Sequence, residues 1–157
     1  MNHSDIRAGR IYTDGSTAVR EVTRLSSLGA GDSEYVCVIY VEKAGLNRGR
    51  TNTMPIEAFA RFAARTVKPS GMDEVVAGLG LAAYGLDGRT NEILRQSLPE
   101  DGTIKPVPED AVRLEKLVGL GLATRIGRRL QASGYVVGAE LLEAARRDAR
   151  RTMPLAA

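Results

Sequence analysis

The hydrophobic period of the chain changes at Pro55, and this change limits the fold more than any other feature of the sequence. Before Pro55, short runs rich in β-branched residues are separated by turn signals such as Asp14-Gly15, which is typical of short β-strands. After Pro55, apolar residues recur at helical spacing, beginning with Ile56, Phe59 and Ala60. Strands followed by helices predict an α+β fold.

Four strands are predicted in the first half. The run EYVCVIYV (34–41) is apolar on both faces, so it is predicted to be a central strand covered on both sides. A helix over 54–67 is expected to plug the open end or one face of the sheet. The other three strands are short, and they lie within 9–15, 17–25 and 49–54. Four short strands at this spacing predict a small, strongly curved sheet or barrel.

The stretch KPSG (68–71) is the best candidate for a boundary between two lobes, because proline and glycine interrupt the helical pattern there. It divides the chain into a barrel-like lobe, 1–67, and a mostly helical lobe, 72–151. Helices of the second lobe are predicted over 72–85, 89–98, 108–118 and 134–151. Between the last two, residues 122–133 predict two short strands joined near Gly127.

The helix over 108–118 is predicted most clearly. Pro108 suits the first turn, and Glu109 and Asp110 lie where the helix dipole favours negative charge. Its buried stripe is predicted to be Ala111, Leu114, Leu117 and Val118. The preceding helix is expected to be capped by Thr90 or Asn91, and the last helix to pair Glu143 with Arg147.

The net charge of +3 is unevenly distributed. Residues 1–70 carry 10 basic and 7 acidic groups, residues 71–120 carry 5 and 9, and residues 121–157 carry 7 and 3. All seven basic groups of the last stretch are arginines, whose planar guanidinium groups suit phosphate and carboxylate. The C-terminal stretch therefore either binds an anionic partner or forms a solvated helix surface.

The run RLEKLVGLGLATRIGRRLQASGYVVG, within 91–142, resembles a winged-helix domain of bacterial and phage regulators. The resemblance implies a helix followed by a β-wing and a last helix. Only PEDGTIKPV separates Leu98 from Pro108, so one helix of the motif is expected to be missing or reduced to a turn. The first half loosely resembles small SH3-like barrels, on the residues Gly9, Arg10, Ile11 and Tyr12.

Groups suited to catalysis or metal binding are scarce. The one cysteine, Cys37, lies in the most apolar run and is predicted to be a buried core residue. The one histidine, His3, lies near the N-terminus. Zinc sites need several such ligands, and the GAGD loop (29–32) lacks the lysine of a phosphate loop. No catalytic residue, metal site or cofactor is predicted, and the protein is expected not to be an enzyme.

The sequence favours a nucleic-acid-binding regulatory protein. The residues expected to contact the phosphates of double-stranded DNA lie on the 108–118 helix and the wing, and they are Arg113, Lys116, Arg125, Arg128 and Arg129. The alternative is a non-enzymatic protein-interaction module, such as a phage adaptor or an inhibitor of a host nucleoprotein complex. A cytoplasmic location is expected, with no secretory signal and no membrane partner. The sequence leaves the oligomeric state open, with a homodimer as one alternative.

Overall fold

The computed structural model describes residues 1–28, 35–127 and 134–152. It confirms the mixed α+β class. The chain forms two compact units, Met1–Gly85 and Leu86–Ala157. The expected boundary at 68–71 lies inside the first of these units.

The first unit is built on a five-stranded antiparallel sheet with the order β4-β3-β2-β1-β5. The strands are β1 (Ile11–Thr13), β2 (Val19–Leu28), β3 (Tyr35–Glu42), β4 (Thr51–Pro55) and β5 (Arg65–Val67). The first four match the four predicted strands. Among the described residues β4 and β5 each pair with one neighbour only, so the sheet is open and the expected closed barrel is not seen.

The prediction of one helix over 54–67 was wrong at its C-terminal end. Helix α1 covers Ile56–Phe62, and the chain then forms β5. Thr66 and Val67 are β-branched and favour a strand, and β5 pairs with the edge of β1, with Val67 opposite Ile11. Pairing with β1 supplies hydrogen-bond partners for the backbone of residues 65–67. The strand therefore forms there although the apolar spacing of the sequence favours a helix.

Helix α1 covers one face of the sheet through Phe59, which is fully buried. The ring of Phe59 lies 5.5 Å from the rings of Tyr12 and Tyr40 and 5.3 Å from that of Phe62. Cys37 is buried in β3, as predicted. Helix α1 therefore covers this face of the sheet by packing the ring of Phe59 against Tyr12 and Tyr40.

A second cluster covers the other side of β1. It includes Ile11, Val19 and Val67 of the sheet and Leu79 of α2 (Met72–Leu79). Helix α2 therefore belongs to the first unit, which explains why the compact division falls after Gly85. The predicted helix over 72–85 is shorter than expected, since Gly80–Tyr84 form a 3-10 helix.

The second unit combines three helices with a three-stranded antiparallel sheet of order β6-β8-β7. The elements are α3 (Gly88–Gln96), β6 (Thr103–Ile104), α4 (Pro108–Gly119), β7 (Ala123–Ile126), β8 (Gly134–Val137) and α5 (Ala139–Thr152). The predicted helices over 89–98 and 108–118 are confirmed as α3 and α4. Between α3 and α4 the described residues form a 3-10 helix (Leu98–Glu100) and β6 and no α-helix, as expected from the short PEDGTIKPV segment.

The last predicted helix begins later than expected. Residues 134–137 form β8, and α5 starts at Ala139. Tyr135, Val136 and Val137 are strand formers, and β8 pairs with both β6 and β7. The second strand of the hairpin is thus C-terminal to the predicted 122–133 segment, and the connection 128–133 lies outside the described residues.

Two glycines of the β3–β4 connection give a matched test of the first unit. Gly45 and Gly49 both have positive φ, 77° and 86°, but a Cβ on Gly45 would lie 2.0 Å from the carbonyl oxygen of Ala83, whereas a Cβ on Gly49 meets nothing within 4 Å. We expect Gly49→Ala to lower the free energy of unfolding by about 1–2 kcal/mol through backbone strain. Gly45→Ala should cost about 2 kcal/mol more, through overpacking.

Urea unfolding followed by circular dichroism measures this difference. Equal losses for the two variants would contradict the packing of the 80–84 segment against the β3–β4 connection.

Candidate nucleic-acid interface

Helix α4 has one buried face and one exposed face. Leu114 and Leu117 are 0% and 1% exposed, and they hold the helix on the core of the second unit. Val112 and Lys116 lie one turn apart on the opposite face and are exposed. The four-residue spacing of Val112 and Lys116 places them on one line that points outward.

The first turn of α4 is fixed to α3 by an ion pair. Asp110 is buried and accepts hydrogen bonds from Arg89, at 3.2 Å from Nε and 2.9 Å from Nη2. The hydrogen bonds from Arg89 hold the pKa of Asp110 below its usual range. The remaining Nη1 of Arg89 lies 3.2 Å from Glu92. Arg89 is therefore a structural residue whose donor nitrogens all face carboxylates.

Arg113, a predicted site residue, lies on one flank of α4 and pairs with Asp87. Its Nε is 3.2 Å from Oδ2 of Asp87, and its side chain is 38% exposed. Asp87 is also the cap of α3, accepting a 2.7 Å hydrogen bond from the backbone N–H of Thr90. The predicted caps Thr90 and Asn91 were wrong, because they lie inside the first turn. Hydrogen bonds from Thr90 and then from Arg113 lower the pKa of Asp87.

Arg125, also a predicted site residue, belongs to a cluster with Glu115 and Tyr135 that joins α4 to the hairpin. The Nε of Arg125 lies 2.8 Å from both carboxylate oxygens of Glu115, and the Tyr135 hydroxyl donates to Oε1 at 2.6 Å. We call these three residues the Glu115 cluster. The hydrogen bonds from Arg125 and then Tyr135 lower the pKa of Glu115 from 4.5 to about 2. The cluster fixes the orientation of the hairpin's first strand relative to α4.

Among the described residues, the predicted cations Arg113, Lys116 and Arg125 do not lie on one side of α4. Arg113 and Glu115 are two residues apart on α4, so their side chains point about 200° apart. Arg113 therefore lies on one flank and Arg125 is held on the other, with Lys116 between them. Arg128 and Arg129 lie outside the described residues.

Arg113 and Arg125 use only part of their donor capacity. Glu115 accepts from Nε and Nη2 of Arg125, and Asp87 accepts from Nε of Arg113. Within the ranges that the structure describes, Nη1 of Arg125 and both Nη groups of Arg113 make no hydrogen bond. Lys116 likewise has no ion pair there. An anion could bind these nitrogens while the carboxylates keep the two guanidinium groups in place.

The arginines that dominate the basic C-terminal stretch are engaged on α5. Arg146 pairs with Asp101 at 3.2 Å, and Glu143 pairs with both Arg147 and Arg150, at 3.4 and 2.9 Å. The predicted pair of Glu143 and Arg147 is confirmed. These contacts favour the interpretation of the tail as a solvated helix surface, and the candidate interface is left to α4 and the hairpin.

The sequence interpretation missed the partners of the cations and the exposed apolar residue of α4. Asp87 is 26 positions from Arg113 and Glu115 is 10 from Arg125, and no local pattern links such distant positions. Val112 is 77% exposed. Its position off the buried stripe of α4 was a signal that could have identified it.

The titration of Glu115 tests the cluster directly. We expect a pKa of about 2 for this carboxyl, and a rise toward 4.5 in Arg125→Ala and, by a smaller amount, in Tyr135→Phe. Because the folded-state pKa is lowered, the stabilisation is present above about pH 4.5 and is lost as the pH falls toward 2. Carboxyl NMR titration measures the pKa. Lys105→Ala, which removes an exposed cation outside the cluster, is the control and should leave it unchanged.

Other kinds of site have less support. Residues 1–28, 35–127 and 134–152 contain no cluster of side chains that could hold a metal ion, and no helix there combines the length and apolar character needed to cross a membrane. Comparisons with family models, curated proteins and solved structures found no match to this chain. Function is therefore inferred from the contacts of α4 and the hairpin.

Proposed function

We propose that this protein is a small regulatory protein of bacterial or phage type that binds double-stranded DNA through α4 and the β7–β8 hairpin. One observation carries the proposal: the exposed line of α4 lies between two arginines on opposite flanks, each held by a carboxylate and each with guanidinium nitrogens that make no hydrogen bond to the described residues. Lys116 adds a third cation on the exposed line itself. An α-helix fits the major groove of DNA, where the phosphates of the two strands lie on either side.

The acidic partners have a defined role in this proposal. Asp87 and Glu115 neutralise part of the charge of Arg113 and Arg125, so long-range attraction to DNA is weaker than it would be from these two arginines alone. The same carboxylates hold Arg113 and Arg125 in fixed positions, which lowers the entropy lost when phosphates bind. The proposed contacts are thus few and well ordered.

The finer description of the two lobes remains part of the proposal. A β-hairpin directly after α4 and the sheet order β6-β8-β7 support a winged-helix-like lobe with a reduced helical motif. In the first unit, α1 covers a sheet whose pairing shifts between Val22 and Arg24. Such a bulge bends a strand, which supports a small curved SH3-like sheet.

A protein-interaction module is the second candidate, and the exposed apolar residues of the second unit favour it. They are Val107, Val112, Leu120, Ile126 and Val136. Apolar side chains at the surface can mark contacts with proteins, and the paired state of Arg113 and Arg125 reduces the charge available for DNA. In both candidates the protein is not an enzyme and needs no cofactor.

The salt dependence of duplex binding separates the two candidates. We expect the affinity for duplex DNA to fall steeply with salt, and Lys116→Gln to reduce the slope of log affinity against log salt by about 0.9, the value for one phosphate contact. Arg95→Gln removes the same charge from α3 and should leave the slope nearly unchanged. Fluorescence anisotropy over a salt series measures each slope.

A charge-neutral variant sharpens the test of Arg125. The double change Glu115→Gln with Arg125→Gln keeps the net charge, so a lower slope would report a lost phosphate contact and not a weaker overall field. Arg128→Ala with Arg129→Ala is also expected to flatten the salt dependence. Binding that ignores salt, or no duplex binding together with capture of the same protein from nuclease-treated and untreated lysate, would support the second candidate.

A further inference from the structure

Val112 is the most exposed large hydrophobic residue among those described, at 77%. Valine is a poorer helix former than alanine, lysine or glutamate, so intrinsic helix propensity does not favour it at this position. It also contributes little to the core, which Leu114 and Leu117 fill from the other face. The side chain is thus available for a partner.

The surroundings of Val112 limit what that partner is. Lys116 lies one turn after it, and Arg113 and Arg125 lie on the two flanks of α4. Glu109, three residues before Val112, is also exposed, so the exposed face is mixed in charge and not a uniform cationic patch. An apolar side chain at the centre of a helix face with cations beside it matches a DNA groove, whose floor carries methyl groups and whose walls carry phosphates.

We propose that Val112 recognises thymine in the major groove by contact with its C5-methyl group, an inference that rests on the proposed DNA binding. Thymine alone among the four bases presents a methyl group there, and small apolar side chains recognise it. Arg113, Lys116 and Arg125 then set the position of α4 on the phosphates, while Val112 supplies sequence preference. The preferred duplex therefore contains a thymine opposite the middle of α4.

The test replaces thymine by uracil, which removes only the methyl group. A preferred duplex is first selected from a random library with the wild-type protein, and each thymine is then replaced in turn. We expect one replacement to weaken wild-type binding about fourfold, the effect of losing one buried methyl contact. Val112→Ala should bind the two duplexes equally, with an unchanged salt slope.

The variant is suited to this comparison because Val112 is exposed, so the change to alanine leaves no cavity. A thermal midpoint that is unchanged or slightly raised, since alanine is the better helix former, checks the fold. A duplex preference with no position sensitive to the methyl group, or an equal sensitivity in Val112→Ala, would overturn the role of Val112 and leave DNA binding intact. No enrichment of any duplex and no salt-dependent binding would overturn the proposed function as well.

Discussion

The burial of Leu114 and Leu117 decides what the second unit can present to a partner. Both side chains are almost completely excluded from solvent, so the rotation of α4 about its axis is fixed. Once that rotation is fixed, Val112 and Lys116 must face outward, and Arg113 and Glu115 must lie on opposite flanks. The ion pairs of Asp110 with Arg89 and of Glu115 with Arg125 then order the side chains between the helix and its neighbours, α3 and the hairpin.

The arginine charges on α4, β7 and α5 are neutralised locally by neighbouring carboxylates, so the field of the second unit is smaller than its number of arginines suggests. All six arginines described on α4, β7 and α5 lie within 4.0 Å of a carboxylate. Exposed pairs of this kind add little stability. Their main effect is to order long side chains and to lower the net field. All guanidinium nitrogens of Arg89 face carboxylates, whereas Arg113 and Arg125 direct only some of theirs at carboxylates of the described residues. We therefore treat Arg113 and Arg125 as candidate contact residues and Arg89 as a structural residue.

The sequence predicted those elements whose pattern is local. The short β-branched and apolar runs between turn signals before Pro55 predicted β1 to β4, and the helical stripe with Pro108 in the first turn predicted α4. It failed at β5 and β8, where a short strand adjoins a helix, so the helical pattern was extended over residues that pair with another strand. The partners of Arg113 and Arg125 were equally out of reach, because Asp87 and Glu115 meet them through tertiary packing. What could have been predicted is Val112, whose position opposite Leu114 follows from helical geometry alone.

The central claim is that α4 and the hairpin form the DNA-contacting surface. The most direct measurement is the mapping of backbone amide shifts by NMR as a short duplex is added to the full chain. The account predicts that the largest shifts fall on Val112, Lys116 and the β7 strand, with residues 1–85 little changed. Shifts confined to the first unit, or none at saturating duplex, would contradict it.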